Sequence, residues 1–314
     1  SILPVSSVTF GLLVSTIVLG VFFLINFSIP KLRNYDFKKY LPKLFSFGFP
    51  LALASLGAMI IAQFDTLMLT SMKGLRDVGI YNIILPFAMI LSFLGQGLEK
   101  VLFPLTSEFE ANKSMEKVEN SFNIAYKFSI VGSFFLTLPL FLYSEILLGK
   151  FFTEEYVTGA MAFRILLIGV IFLVVSNINI GILFGLGKTR QIAKVSFISA
   201  FSNIILNLLL IPVWGINGAA LATAFSFALN FALSLIFLRK EIKVSFPLNK
   251  VLLSDVSWIL SLIVGFMIMN TEINIWIKLI LSFVVSLLLF ILLIFVSKVL
   301  KRKDIRKIIS VIKD

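Results

Sequence analysis

Residues 158–184 read TGAMAFRILLIGVIFLVVSNINIGILF, an apolar run interrupted by one charge, Arg164, and by the late polar pair Asn177 and Asn179. A helix needs roughly 20 apolar residues to cross a bilayer core, and this stretch is long enough. Runs of similar character lie near 5–28, 45–70, 80–104, 123–144, 191–212, 216–238, 251–270 and 275–297. One such run could be the buried helix of a large soluble protein. Nine in succession predict an all-α polytopic membrane protein of about nine transmembrane helices, in contact with membrane lipids along its length.

Composition points the same way. The 314 residues are 59% hydrophobic and 14% charged, with a mean hydropathy of +1.04; an ordinary soluble domain has about 45–50% apolar and about 25% charged residues. Phe, at 34 residues, can face lipid without leaving a polar group unsatisfied. Cysteine and histidine are absent, which excludes disulfides, thiolate nucleophiles, Cys/His metal sites and imidazole acid–base chemistry. No cofactor and no enzymatic activity are expected. The net charge of +12 would suggest nucleic acid in a soluble chain, but here its placement matters more than its sum.

The basic residues recur mainly on alternate connections. Lys31, Arg33, Lys38, Lys39 and Lys43 precede the second run, Lys188, Arg190 and Lys194 follow the fifth, and Arg239, Lys240, Lys243 and Lys250 follow the seventh. The tail from Lys298 to Lys313 is basic as well. The positive-inside rule then puts 31–43, 106–121, 187–194, 239–250 and the C-terminus in the cytoplasm. The 106–121 connection is mixed in sign, but acidic residues weigh little in this rule. The first residues, Ser1-Ile2-Leu3-Pro4, lack an initiator Met and any basic leader. The expectation is the C-terminal portion of a longer multi-pass protein of the cytoplasmic membrane.

Some short patterns carry nothing. Gly187-Lys188-Thr189 resembles the end of a P-loop, yet Ile182 stands where the first glycine should be and the stretch follows a membrane helix, not a strand. Gly181 and Gly185 have small-xxx-small spacing, which permits close helix packing. Ionisable groups inside the runs say more, because each costs energy unless it faces protein or water. Asp65 could be a cation or proton site, the partner of a base on another helix, or a group reaching the headgroups; Gln63 points to a different face. Arg164 could meet an anionic phosphate, pair with Asp65 or cap a neighbouring helix. Glu99 could pair with another helix, and Lys100 and Lys127 could reach the interface. Pro50, Pro86, Pro104 and Pro139 tend to kink or end their helices. Asn177, Asn179, Asn203 and Asn207 predict a polar inner surface.

Four groups of residues carry a family resemblance: Phe49-Pro50-Leu51-Ala52 with Gln63-Phe64-Asp65-Thr66; Val78-Gly79-Ile80-Tyr81-Asn82; Gly185-Leu186-Gly187-Lys188-Thr189; and the run from Pro212-Val213-Trp214-Gly215 to Thr223. In order and spacing they resemble the second half of a polysaccharide-export flippase of the multidrug/oligosaccharidyl-lipid/polysaccharide exporter superfamily. The resemblance implies two six-helix lobes. Residues 1–30 would be the last helix of the N-terminal lobe, 31–43 a basic cytoplasmic linker and 44–240 the C-terminal lobe. Residues 241–300 would be two additional helices and 301–314 a basic cytoplasmic tail. The implied partner is the N-terminal lobe of the same chain, and the implied activity is flipping of a lipid-linked oligosaccharide by alternating access, without covalent chemistry. Arg164, Asp65, Gln63 and Asn177 are the candidate substrate or coupling-ion residues. A cation-coupled exporter of drugs or organic cations, in which Asp65 gains importance, and a non-transporting membrane scaffold are the competing readings.

Overall fold

The computed structural model describes residues 14–22, 37–243, 248–297 and 299. The chain divides into two units, Ser1–Ser46 and Phe47–Asp314. In the first, the described residues are helical at 14–22 and from 37 onward. Of the expected first run, 5–28, only 14–22 is described, and the C-terminal tail 301–314 lies outside the described residues.

The fold is all-helical among the described residues. In chain order the helices are α1 (Phe37–Met72), α2 (Leu75–Met89), α3 (Ser92–Ala111), α4 (Met115–Leu142) and a short α5 (Ser144–Phe151). After a 3-10 turn at Glu154–Gly159 come α6 (Ala160–Gly185), α7 (Thr189–Leu238), α8 (Leu248–Met269) and α9 (Ile275–Val296). Six of these are long and apolar enough to cross a membrane, seven when the bent pair α2–α3 counts as one span. That is fewer than the nine expected from the sequence. Besides the first run, of which only 14–22 is described, the expected spans 191–212 and 216–238 both lie within α7, and the expected span 80–104 is divided between α2 and α3.

Helix α7 is 50 residues long but is not one rod. Gly215 has φ 53° and ψ −128°, a conformation open essentially only to glycine. Beyond it the chain turns back, so that a Cβ on Gly218 would collide with the backbone of Leu210 and Ile211. The arms 189–214 and 216–238 run antiparallel, tied where Asn203 Nδ2 donates to Thr223 Oγ1 at 3.3 Å. Pro212, which has no N–H to give to a helix, stands at the turn.

The α2–α3 bend is 43°. Pro86 removes a backbone donor one turn upstream, and the chain crosses the break on i→i−3 bonds: Leu91 to Ala88, Phe93 to Ile90 and Leu94 to Leu91. By contrast, α1 continues through Pro50.

Helix α6 is the most enclosed span and packs on α3, α4 and α7. Glycine makes these contacts close: a Cβ on Gly181 would meet the Glu99 backbone, one on Gly185 would meet Thr106, and one on Gly169 would meet Ala224. The small-xxx-small pair is therefore the α3–α6 seam. Lipid supplies no hydrophobic drive between helices, so close van der Waals contact of this kind holds them together. Helices α8 and α9 pack on each other and on α4. Tyr143 Oη fixes α9 by donating to Leu279 O at 3.0 Å and lying 2.5 Å from Ser282 Oγ.

Polar bonds between connections sort the loops into two sets. Arg76 pairs with Glu155 at 2.7 Å, and Lys73 Nζ donates to Pro212 O at 2.9 Å, which joins the connections near 73, 155 and 212. Lys188 pairs with Glu241 at 2.8 Å, and Lys243 N donates to Glu119 at 3.1 Å, which joins those near 119, 188 and 242. These are the same two sets that the alternation of basic clusters separated.

Candidate functional site

Helix α1 ends at Met72, and Gly74, at φ 96°, lets the chain reverse immediately into α2. That reversal returns Tyr81 to Asp65. Tyr81 Oη donates to Asp65 Oδ2 at 2.6 Å. The α7 hairpin supplies the rest: Asn207 Nδ2 donates to Asp65 Oδ1 at 2.6 Å, and the Thr223 hydroxyl donates to Oδ2. Asn203 Oδ1 accepts from Asn207 Nδ2 at 3.1 Å. Asp65, Tyr81, Asn203 and Asn207 are fully buried, and Thr223 nearly so.

No lysine or arginine among the described residues comes within ion-pair distance of Asp65. Its partners are neutral donors. Asn207 Oδ1 is buried without any partner, which is uncommon for an amide oxygen in a packed interior. The carboxylate with the Asn203, Asn207 and Thr223 oxygens forms an all-oxygen set, the chemistry that suits a hard cation or a proton. No group of three His, Cys, Asp or Glu side chains that could hold a metal ion occurs among the described residues.

The other sequence candidates lie apart. Gln63 is exposed on the opposite face of α1. Asn177 is buried on α6, its amide against Gly95 of α3. Arg164 does not meet Asp65: its Nη1 lies 3.1 Å from Glu145 Oε1, and its Nε donates to Phe141 O at 3.2 Å. The guanidinium also sits 5.8 Å and 5.9 Å from the ring centres of Phe141 and Phe266. It therefore caps the C-terminal end of α4, one of the roles open to it from the sequence. Glu99 packs its backbone over Gly181.

Tyr81 and Thr223 were not singled out as site residues by the sequence. Nothing local marks Thr223, one of several small residues in an apolar arm. Asn203 and Asn207 did carry a signal: spaced i, i+4 they share one helix face, and two amides on one face of a membrane helix need a polar neighbour.

The profile of the family described as Polysaccharide biosynthesis protein matches residues 3–110. The chain is 30% identical over 274 residues to an uncharacterized membrane protein of Methanocaldococcus jannaschii, covering 87% of this chain and 54% of that protein. It is 27% identical over 213 residues to a "probable low-salt glycan biosynthesis flippase" of Haloferax volcanii, covering 66% and 44%. Among solved structures, a Vibrio cholerae MATE transporter superposes with a TM-score of 0.60 at 15% identity, over 82% of this chain and 67% of the other. A MOP superfamily transporter from Pyrococcus furiosus gives 0.54 at 17%, over 76% and 61%. The chain spans about half the length of the curated relatives it matches. At these structural identities the likeness is one of fold alone, which the chain shares with these two solved transporters.

Proposed function

We propose that this chain forms the C-terminal lobe of a cation-coupled transporter, with Asp65 holding the coupling ion. The observation that carries this reading is a fully buried carboxylate in a membrane helix whose partners are all neutral. A charge placed there is costly unless something compensates it, and a sodium ion or a proton would do so. Loading and unloading that ion would bias the lobe between two arrangements, as alternating access requires. A second lobe would complete the cavity. Nine spans follow if the arms of α7 each cross the membrane and residues 5–28 add one more; the basic clusters then put the C-terminus in the cytoplasm.

Export of organic cations is the substrate reading that fits an acidic coupling site within this fold. Flipping of a lipid-linked oligosaccharide is the second reading, favoured by the profile match at residues 3–110 and by the Haloferax relative; it uses the same ion site. The full-length protein in proteoliposomes, given a sodium or proton gradient, separates the two. Gradient-driven movement of organic cations that stops in Asp65→Asn supports the first. Movement of lipid-linked sugars alone, with the same dependence on Asp65, supports the second. Transport indifferent to both gradients and to Asp65→Asn would sink the coupling role.

A further inference from the structure

The α7 arms carry facing rows of polar side chains. One arm has Ser196, Ser199, Asn203 and Asn207; the other has Thr223, Ser226, Asn230 and Ser234, all buried. Since Asn203 meets Thr223 across antiparallel arms, Ser196 faces Asn230. Between them lies a cavity of about 160 Å³, lined on its polar side by Ser196, Thr223 and Asn230 and otherwise by side chains such as Ile61, Leu173 and Phe227. Thr223 belongs to the Asp65 cluster. Asn230 belongs to a second cluster, where Ser176 Oγ donates to Asn230 Oδ1 at 2.6 Å and Asn179 Nδ2 donates to Ser234 Oγ at 2.9 Å.

Three fully buried residues along this line have an oxygen without a hydrogen-bond partner: Asn207 Oδ1 beside Asp65, Ser199 Oγ in the first arm and Asn179 Oδ1 in the second cluster. None of the three lines the cavity; they lie on the helices that flank it, where an unpartnered buried oxygen is a place for water or an ion. The cavity is far larger than the roughly 10–15 Å³ that one water requires. With a rise of 1.5 Å per residue, the seven residues from Thr223 to Asn230 span about 10 Å.

We propose that this cavity is a hydrated passage for a monovalent cation or proton, joining Asp65 to a neutral oxygen cluster formed by Ser176, Asn179, Asn230 and Ser234. The proposal rests on Asp65 as the coupling site and adds the route by which the ion reaches it. The second cluster has no charge, so it holds a cation only in passing and releases it toward the connections near 188 and 241. Gly57 of α1 packs directly on Ser196, where a Cβ would come within 3.0 Å of the Ser196 backbone and Cβ, so that α1 closes one side of the passage.

These 314 residues contain no cysteine, so single cysteines placed here report on water access once any cysteine elsewhere in the full-length protein is replaced by serine. Full-length protein carrying Ser196→Cys or Asn230→Cys, in proteoliposomes, would be treated with aminoethyl methanethiosulfonate. Phe201→Cys and Phe225→Cys, on outward-facing apolar positions, set the background. Labelling at 196 and 230 at least ~10-fold faster than background, slowed by sodium at fixed pH or by acid beyond the thiolate loss that slows the background positions equally, is the expected result. Ser196→Cys is nearly isosteric and guards against misfolding at Asn230. Background rates at both positions, or rapid labelling that sodium does not slow and that acid slows no more than at the background positions, would overturn the passage. Adding Asp65→Asn distinguishes the two ideas: protection lost with Asp65 supports both, whereas protection that persists keeps the passage and removes Asp65 as its destination.

Discussion

Asp65 and Arg164 are both ionisable residues in apolar helices, and the fold treats them in opposite ways. Arg164 keeps 20% of its side chain exposed and meets a carboxylate, a helix-end carbonyl and two aromatic faces. Its charge is matched within the fold. Asp65 has no exposure and meets only neutral donors. The difference teaches that an intramembrane charge is informative through its partners. A charge answered by the protein has its cost met within the fold, whereas one left for something else to answer is the candidate for a binding role.

The sharpest attempt to break this contrast is Asp65→Asn in the full-length protein. Losing a charged hydrogen-bond partner of a bound ion is worth about 2–3 kcal/mol, so gradient-driven transport should fall by about 30- to 150-fold while the protein still elutes as a folded species. Unchanged transport would place Asp65 beside Arg164 as a structural charge. Next in size is Gly215→Ala, which forces an alanine into a glycine-only conformation at a cost of about 1–3 kcal/mol. The hairpin carries Asn207 and Thr223, so the expected result is a lower melting temperature together with weaker ion dependence. A lower melting temperature alone would separate the hairpin from the site.

Arg164→Gln removes one ion pair with a half-exposed Glu145 and a helix cap, at a cost of about 1 kcal/mol. A modest loss of thermal stability, with transport within about two-fold of the parent, is expected; a transport defect without loss of stability would make Arg164 a ligand contact. The smallest effect belongs to the opposite loop set. Hydrogen bonds from Lys188 and Gln191 hold the Glu241 carboxyl below its ordinary value of 4.5. A depressed folded value means stability that is complete at neutral pH and is lost as pH falls below that ordinary value. The pair is partly exposed, so Glu241→Gln should cost under about 1 kcal/mol at pH 7, and parent and variant should converge on acidification. A difference that widened in acid would contradict the sign.

The long apolar runs were legible because membrane crossing is a local demand on length and composition. The break at Pro212-Val213-Trp214-Gly215 was legible too, since a proline and a glycine punctuate an otherwise continuous run. The bend after Pro86 was only half visible: the proline was evident, but α1 passes through Pro50 without a break in its helix, and neighbouring packing decides which prolines bend. Asp65 stood out as a charge, yet three different fates remained open to it.

Sequence by itself determined the helical, membrane-embedded character of this protein, the alternation of its connections and the absence of cysteine and histidine chemistry. These depend on each residue and its near neighbours along the chain. Tertiary structure alone decided that Asp65 meets Asn207 and Thr223, 142 and 158 positions away, while Arg164 meets Glu145 instead. A helix face specifies which side chains travel together, but the approach of α1, α2 and both arms of α7 decides which faces meet. Whether a buried charge is answered or left open depends on that meeting.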